Sequence, residues 1–209
     1  MLGTRLKCGA LLLVVSWLGM PSAVEAQTLR WPCERAFADR RSSKLADDTY
    51  VVVFFARKGL PGHVYVATGR LEDGLGMMQT SIFGFYPSAT TKGIGLALGL
   101  SAPGKIDVNP DSDATPNIAV NILVNEEQHW RVKDALASKW SHMPYSLFKQ
   151  NCNNLLADAA KELGLSIPAS TFQFPDQFLN ALIVQNGFVR VDECRSSPAT
   201  APSAPSTIR

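Results

Sequence analysis

The chain has 209 residues, 46% of them apolar and 18% charged, with a formal net charge of +2. That size and composition suit one globular domain with a real core. The balanced charge, without a basic patch or an acidic block, argues against nucleic acid as a partner.

The first 26 residues read as a secretory signal peptide. Arg5 and Lys7 precede a short apolar run from Ala10 to Leu18, which Gly19 and Pro21 interrupt, and Val24-Glu25-Ala26 suits a signal peptidase. The run is too short for a membrane span, which needs about 20 apolar residues. Cleavage is expected after Ala26, leaving a mature chain that begins at Gln27 and is periplasmic or secreted, without a stable membrane span. An uncleaved N-terminal anchor is the alternative. Loss of two basic residues and one acidic residue takes the charge from +2 to +1. Residues 27–195 form the expected domain, and the Ser/Pro/Ala-rich residues 196–209 read as a disordered tail.

Residues 49–57 (TYVVVFFAR) form an apolar, β-branched and aromatic run expected to be a buried strand. Lys58-Gly59-Leu60-Pro61-Gly62 reads as a turn, and residues 63–68 (HVYVAT) as the second strand of a hairpin. Residues 76–86 (GMMQTSIFGFY) make a third strand, ended by Pro87. The Gly-rich segment 90–103 is open between a loop and a flap. Residues 105–108 and 117–124 read as further strands.

The period then changes. Asn125 and Gln128 have capping-box spacing, and Trp130, Val132, Leu136 and Trp140 fall near helical spacing, so a helix is expected over 126–139. His129 lies beside charged residues and is expected to be solvated. Pro144 prevents continuation of that helix. In residues 145–165 (YSLFKQNCNNLLADAAKELGL), Asn151 suits an N-cap, the apolar positions after Cys152 share one helical face, and Gly164 suits the C′ position. A last helix is expected from about Asp176 to Gln185, and residues 188–191 suit a final strand. Strands cluster before helices, so the expected class is α+β with a mostly antiparallel sheet.

Cys33, Cys152 and Cys194 remain after the leader, an odd number for an exported chain. Cys33 and Cys194 lie near the two ends of the domain, and chain termini are often close. A Cys33–Cys194 disulfide would join them and leave Cys152 free. Cys152 then has three readings: a disulfide partner after all, a small buried residue, or a nucleophile. If Asn151 caps the helix, Cys152 is in its first turn, where positive polarity and unpaired N–H groups favour a thiolate and receive an oxyanion.

A nucleophilic thiol needs a base. His63, at the strand start after a Pro-Gly turn, is preferred over His142, which lies in the loop before Cys152; a satisfied strand-end histidine is the ordinary alternative. Gln79, Thr80, Asp107 and Asn121 are possible orienting groups. Asn151 and Asn153 are weak candidates for oxyanion or orienting roles, and Tyr145 is either an oxyanion donor or an aromatic plug. The scattered Cys and His residues offer no metal-ligand spacing, and no cofactor is implied.

Tyr145-Ser-Leu-Phe-Lys-Gln-Asn151-Cys152-Asn153 resembles the Asn-Cys-Asn signature of the permuted papain-like thiol peptidases, the PPPDE group. Ile167-Pro168, Gly62-His63-Val64 and Phe83-Gly84-Phe85 resemble further elements of that group, and the resemblance spans residues 50–168. Histidine before cysteine is the permuted order, shared with permuted NlpC-type hydrolases and lecithin–retinol acyltransferase-like proteins. The resemblance implies a permuted papain-like fold, an antiparallel sheet packed on a nucleophile-bearing helix, with Cys152 and His63 catalytic. It implies a cysteine hydrolase cutting a peptide or isopeptide bond; with the expected leader, which the intracellular members of the group lack, the enzyme is exported and its substrate is, for instance, in peptidoglycan stem peptides. An acyltransferase or lipid esterase on the same site and a non-catalytic envelope binding protein are the alternatives.

Overall fold

The computed structural model describes residues 31–41, 49–60, 62–72, 76–88, 99–107 and 115–192. The expected leader, residues 90–98 of the Gly-rich segment, Cys194 and the tail lie outside them. Among the described residues, the strands are β1 (Glu34–Asp39), β2 (Tyr50–Arg57), β3 (His63–Glu72), β4 (Gly76–Pro87), β5 (Ala102–Ile106), β6 (Ile118–Val124), β7 (Pro144–Tyr145) and β8 (Val189–Asp192). The helices are α1 (Glu126–Trp140), α2 (Cys152–Glu162) and α3 (Pro175–Gln185).

The chain is a mixed α+β domain built on one eight-stranded sheet, in the order β7-β5-β4-β3-β2-β6-β1-β8. The β2–β3 hairpin is present, with Arg57 opposite His63 at its closed end. Every pairing is antiparallel except that of β1 with β6. The sequence reading did not include β1. The expected strand at 105–108 lies earlier, at Ala102–Ile106.

Both faces of the sheet centre are buried, which explains the unbroken apolar run of β2. Val52, Phe54 and Ala56 join the main core with Val132, Leu136, Leu155, Leu179 and other helix residues. Val51, Val53 and Phe55 point the other way, into a second cluster with Tyr65, Ala67 and Ile82. Period-2 alternation distributes one strand between two cores.

The helix ends follow the sequence closely. Asn125 accepts from the Gln128 N–H at 2.9 Å, and Gln128 Oε1 accepts from the Asn125 N–H at 3.0 Å. At the end of α2, the Gly164 N–H donates to Lys161 O and the Leu165 N–H to Ala160 O. Gly164 has φ +66°, so this is a Schellman ending that favours glycine. Pro175 opens α3, where its missing N–H costs no intrahelical bond. Gly104 in β5 has a different reason: a Cβ there would overlap the Met143 carbonyl oxygen and the Phe85 ring. No described helix is long and apolar enough to cross a membrane.

The helix face expected around Trp130 is corrected. Trp130 is exposed and His129 is buried, in line with Val132, Leu136 and Trp140. Their spacings of three, four and four residues keep His129, not Trp130, on the inward stripe. His129 is therefore not solvated: Nδ1 lies 2.7 Å from Thr68 Oγ1, and its ring stacks on Tyr50 at 4.6 Å. Burial, then Lys133, lowers its pKa against the weaker opposite pull of Glu126 and Asp134. The unfolded chain therefore takes up a proton that the folded chain resists. This contribution to stability is complete above the ordinary value of 6.5 and is lost as pH falls from there toward the folded value. Thermal melts should show a fall in Tm below about pH 6.5 that His129→Asn, which keeps an N–H near Nδ1, reduces. An unchanged pH profile in the variant would show that another group controls the acid limb.

Candidate functional site

Asn151 has extended backbone and caps α2, accepting the Asn153 N–H at 2.9 Å. Its own N–H donates to Asn154 Oδ1 at 3.0 Å, closing a capping box. That cap places Cys152 at the first residue of the helix, with its side chain in the core and only 5% exposed. The thiol is free. Cys33 is disulfide-bonded; Cys194, its expected partner, lies outside the described residues.

His63 opens β3 and is brought to Cys152, with a side-chain hydrogen bond between them. Burial alone pushes the Cys152 thiol up. The His63 charge, the His63 hydrogen bond and the Val64 and Asn153 N–H groups together outweigh it, and the net shift is downward. A buried thiol held below its ordinary value ionises more readily to the thiolate, the form that attacks. His142, the other sequence candidate, is exposed in the loop after α1.

The imidazole is held by aromatic rings that the sequence reading missed. Tyr86 stacks on His63 at 4.2 Å with an interplanar angle of 29°, and Tyr65 lies at 6.2 Å on a near-parallel plane. Arg57 donates to the Tyr86 hydroxyl at 3.1 Å and so fixes the stacking ring. The spacing of Tyr86 near the end of a strand that pairs with β3 was the available signal.

Of the proposed orienting groups, Asp107 is engaged by Lys105 at 2.6 Å, and Thr80 donates to the Met77 carbonyl. Asn121 lines a cavity bordered by Trp31, Phe37 and Leu123, which shares no lining residue with the Cys152 cleft. Gln79 lies within β4, and its side chain is outside what the structure describes. Tyr145 is both plug and neighbour. Its ring packs on Phe85 at 5.3 Å, and it lines the cleft beside Cys152. Burial, then the Cys152 charge, raises its pKa, so the hydroxyl stays protonated and able to donate.

The two asparagines after the cysteine are builders of the cleft wall. Asn153 is 1% exposed and donates through Nδ2 to the carbonyls of Thr171 and Gln173, at 2.9 and 3.0 Å. Asn154 Nδ2 donates to Thr171 Oγ1 at 3.0 Å. These bonds hold the segment carrying Phe172 across the mouth of a cleft of about 520 Å³ that opens on Cys152. Among the described residues, no group of three or more His, Cys, Asp and Glu side chains is placed to hold a metal ion. Comparisons with protein-family models, with curated proteins and with solved structures find no match for this chain.

Proposed function

We propose that the protein is an exported, permuted papain-like thiol hydrolase that cleaves an amide through Cys152 and His63. The observation carrying this reading is the hydrogen-bonded His63–Cys152 pair, with its lowered thiol, at the N-terminus of α2 and facing a cleft. The chain order, histidine on a strand before cysteine on a helix, is the permuted one.

The proposed steps use groups already in place. The Cys152 thiolate adds to the substrate carbonyl carbon, and the carbonyl electron pair moves onto oxygen. That oxyanion meets the positive end of α2 and the protonated Tyr145 hydroxyl. On collapse the C–N bond breaks, and the His63 imidazolium gives its proton to the departing amine. An acyl thioester remains on Cys152. Water attacks it, the water proton passes to His63, and the C–S bond breaks to release a carboxylic acid and regenerate the ion pair. Peptide, isopeptide and peptidoglycan stem-peptide bonds all fall within this chemistry.

The test is covalent capture. An activated acyl ester should add one acyl mass to the wild-type chain, and digestion should place it on Cys152. Cys152→Ala should take up none while keeping its circular dichroism spectrum. A folded wild-type chain that forms no thioester, with a thiol that resists iodoacetamide up to pH 9, would remove the nucleophile and the reading with it.

A further inference from the structure

Among the described residues, none that lines the cleft beside Cys152 is an Asp, Glu, Lys, Arg or His. Its polar members are amides and the Tyr145 hydroxyl; the rest is apolar. Four of its apolar residues are exposed large side chains: Leu60 at 88%, Phe148 at 47%, Phe172 at 62% and Phe174 at 52%. Phe148 and Phe172 pack against each other at 5.3 Å. Exposed apolar side chains scattered singly need no explanation, but this group surrounds one opening.

The group is also built rather than incidental. The segment bearing Phe172 is fixed by the buried Asn153, the residue next to the nucleophile, through the Thr171 and Gln173 carbonyls on either side of it. Asn154 adds the bond to Thr171 Oγ1, and Gln173 closes back on the Ser170 carbonyl. The nucleophile and the apolar wall are thus positioned by one short run of sequence.

From these observations we infer that the cleft takes an uncharged, apolar acyl group larger than acetyl, seated against Phe148 and Phe172 while Cys152 attacks its carbonyl. The inference rests on the hydrolase reading above and narrows it. A cavity of about 520 Å³ lies within the ordinary range for small-ligand sites, which are mostly apolar with few polar groups. A carboxylate-bearing acyl group, such as the acidic residues of a stem peptide, would be desolvated there with no cation among the described lining residues to meet it. Two sources supply the required chemistry: a saturated acyl chain, or the apolar side chain of the residue whose carbonyl is cut.

The experiment compares rates of Cys152 acylation and turnover for nitrophenyl esters of acetate, octanoate, N-acetylglycine, N-acetylleucine and N-acetylglutamate, read by released nitrophenol and intact mass. The wild-type chain should prefer octanoyl over acetyl, or N-acetylleucyl over N-acetylglycyl, by at least about tenfold. Which of the two preferences is larger identifies the source. Phe148→Ala and Phe172→Ala should flatten it while leaving iodoacetamide alkylation of Cys152 unchanged; both rings are exposed, so folding is not at stake. Acylation of Cys152 without selectivity, or with preference for N-acetylglutamyl, overturns the apolar subsite and leaves the hydrolase standing. Failure of every ester to acylate a folded chain overturns the hydrolase and the subsite with it.

Discussion

Replacing His63 with alanine should move the pH dependence of Cys152 alkylation upward and slow alkylation at pH 7 by at least about tenfold. The sign follows from the balance at the sulfur. Burial is the largest influence on the thiol and opposes ionisation; the His63 charge and hydrogen bond are the next two and favour it. Without the imidazole, only the Val64 and Asn153 N–H groups remain to oppose burial. The wild-type profile should reach half its maximum below the ordinary thiol value of 9.0, and the variant profile at a higher pH than the wild type. Turnover should fall further than alkylation does, by about 10²–10⁴, because the variant also loses the acid that protonates the departing amine. Iodoacetamide labelling from pH 5 to 10, read by intact mass, gives the first result. A variant that had simply unfolded would react faster, the opposite sign. Superimposable profiles for the two proteins would show that His63 does not control the sulfur.

Much of this site could be read from sequence because its determinants are local. A cap residue, the following first turn and a Gly164 ending are set by neighbouring residues, and they place Cys152 where the sequence puts it. The hairpin register sets Arg57 opposite His63, which puts His63 at the start of β3. What could not be read is set by pairings distant in sequence. β1 is short and gains its place by pairing with β6, more than eighty residues later, and with β8 near the end of the domain. The burial of His129 depends on Thr68 and Tyr50, brought together by the sheet, although its spacing to Val132 already marked its face. The cleft wall is the clearest case. Asparagines beside a cysteine suggest polar catalytic roles, yet Asn153 and Asn154 spend their amide hydrogens on a loop about twenty residues downstream. Tyr86 likewise reaches His63 by stacking across the sheet, a contact that its place near the end of β4 marks only once the pairing of β4 with β3 is known.

Phe85→Ala should be the most destabilising single truncation near the site, by about 3–5 kcal/mol. Phe85 is fully buried and joins four elements. From β4 it meets Trp140 of α1 edge-on at 4.7 Å and Tyr145 of β7 at 5.3 Å, and it occupies the space left by Gly104 of β5. Its neighbours are constrained: Trp140 Nε1 is bonded to Asp158 at 3.1 Å, and the Gly104 backbone is bonded to Met143 O. The cavity therefore has little freedom to collapse, which places the cost toward the upper end of the range. Urea unfolding should show a lower midpoint with an unchanged m-value, the sign of a stability loss without a change in compactness. Acylation of Cys152 should slow in the same variant under native conditions, since Tyr145 loses the ring that backs it. Phe172→Ala supplies the contrast: its exposed ring should cost at most about 0.5 kcal/mol on truncation while altering substrate preference. A Phe85→Ala loss below about 1 kcal/mol would mean that the cluster relaxes around the missing ring, and that Tyr145 is held beside the thiol by its own strand rather than by Phe85.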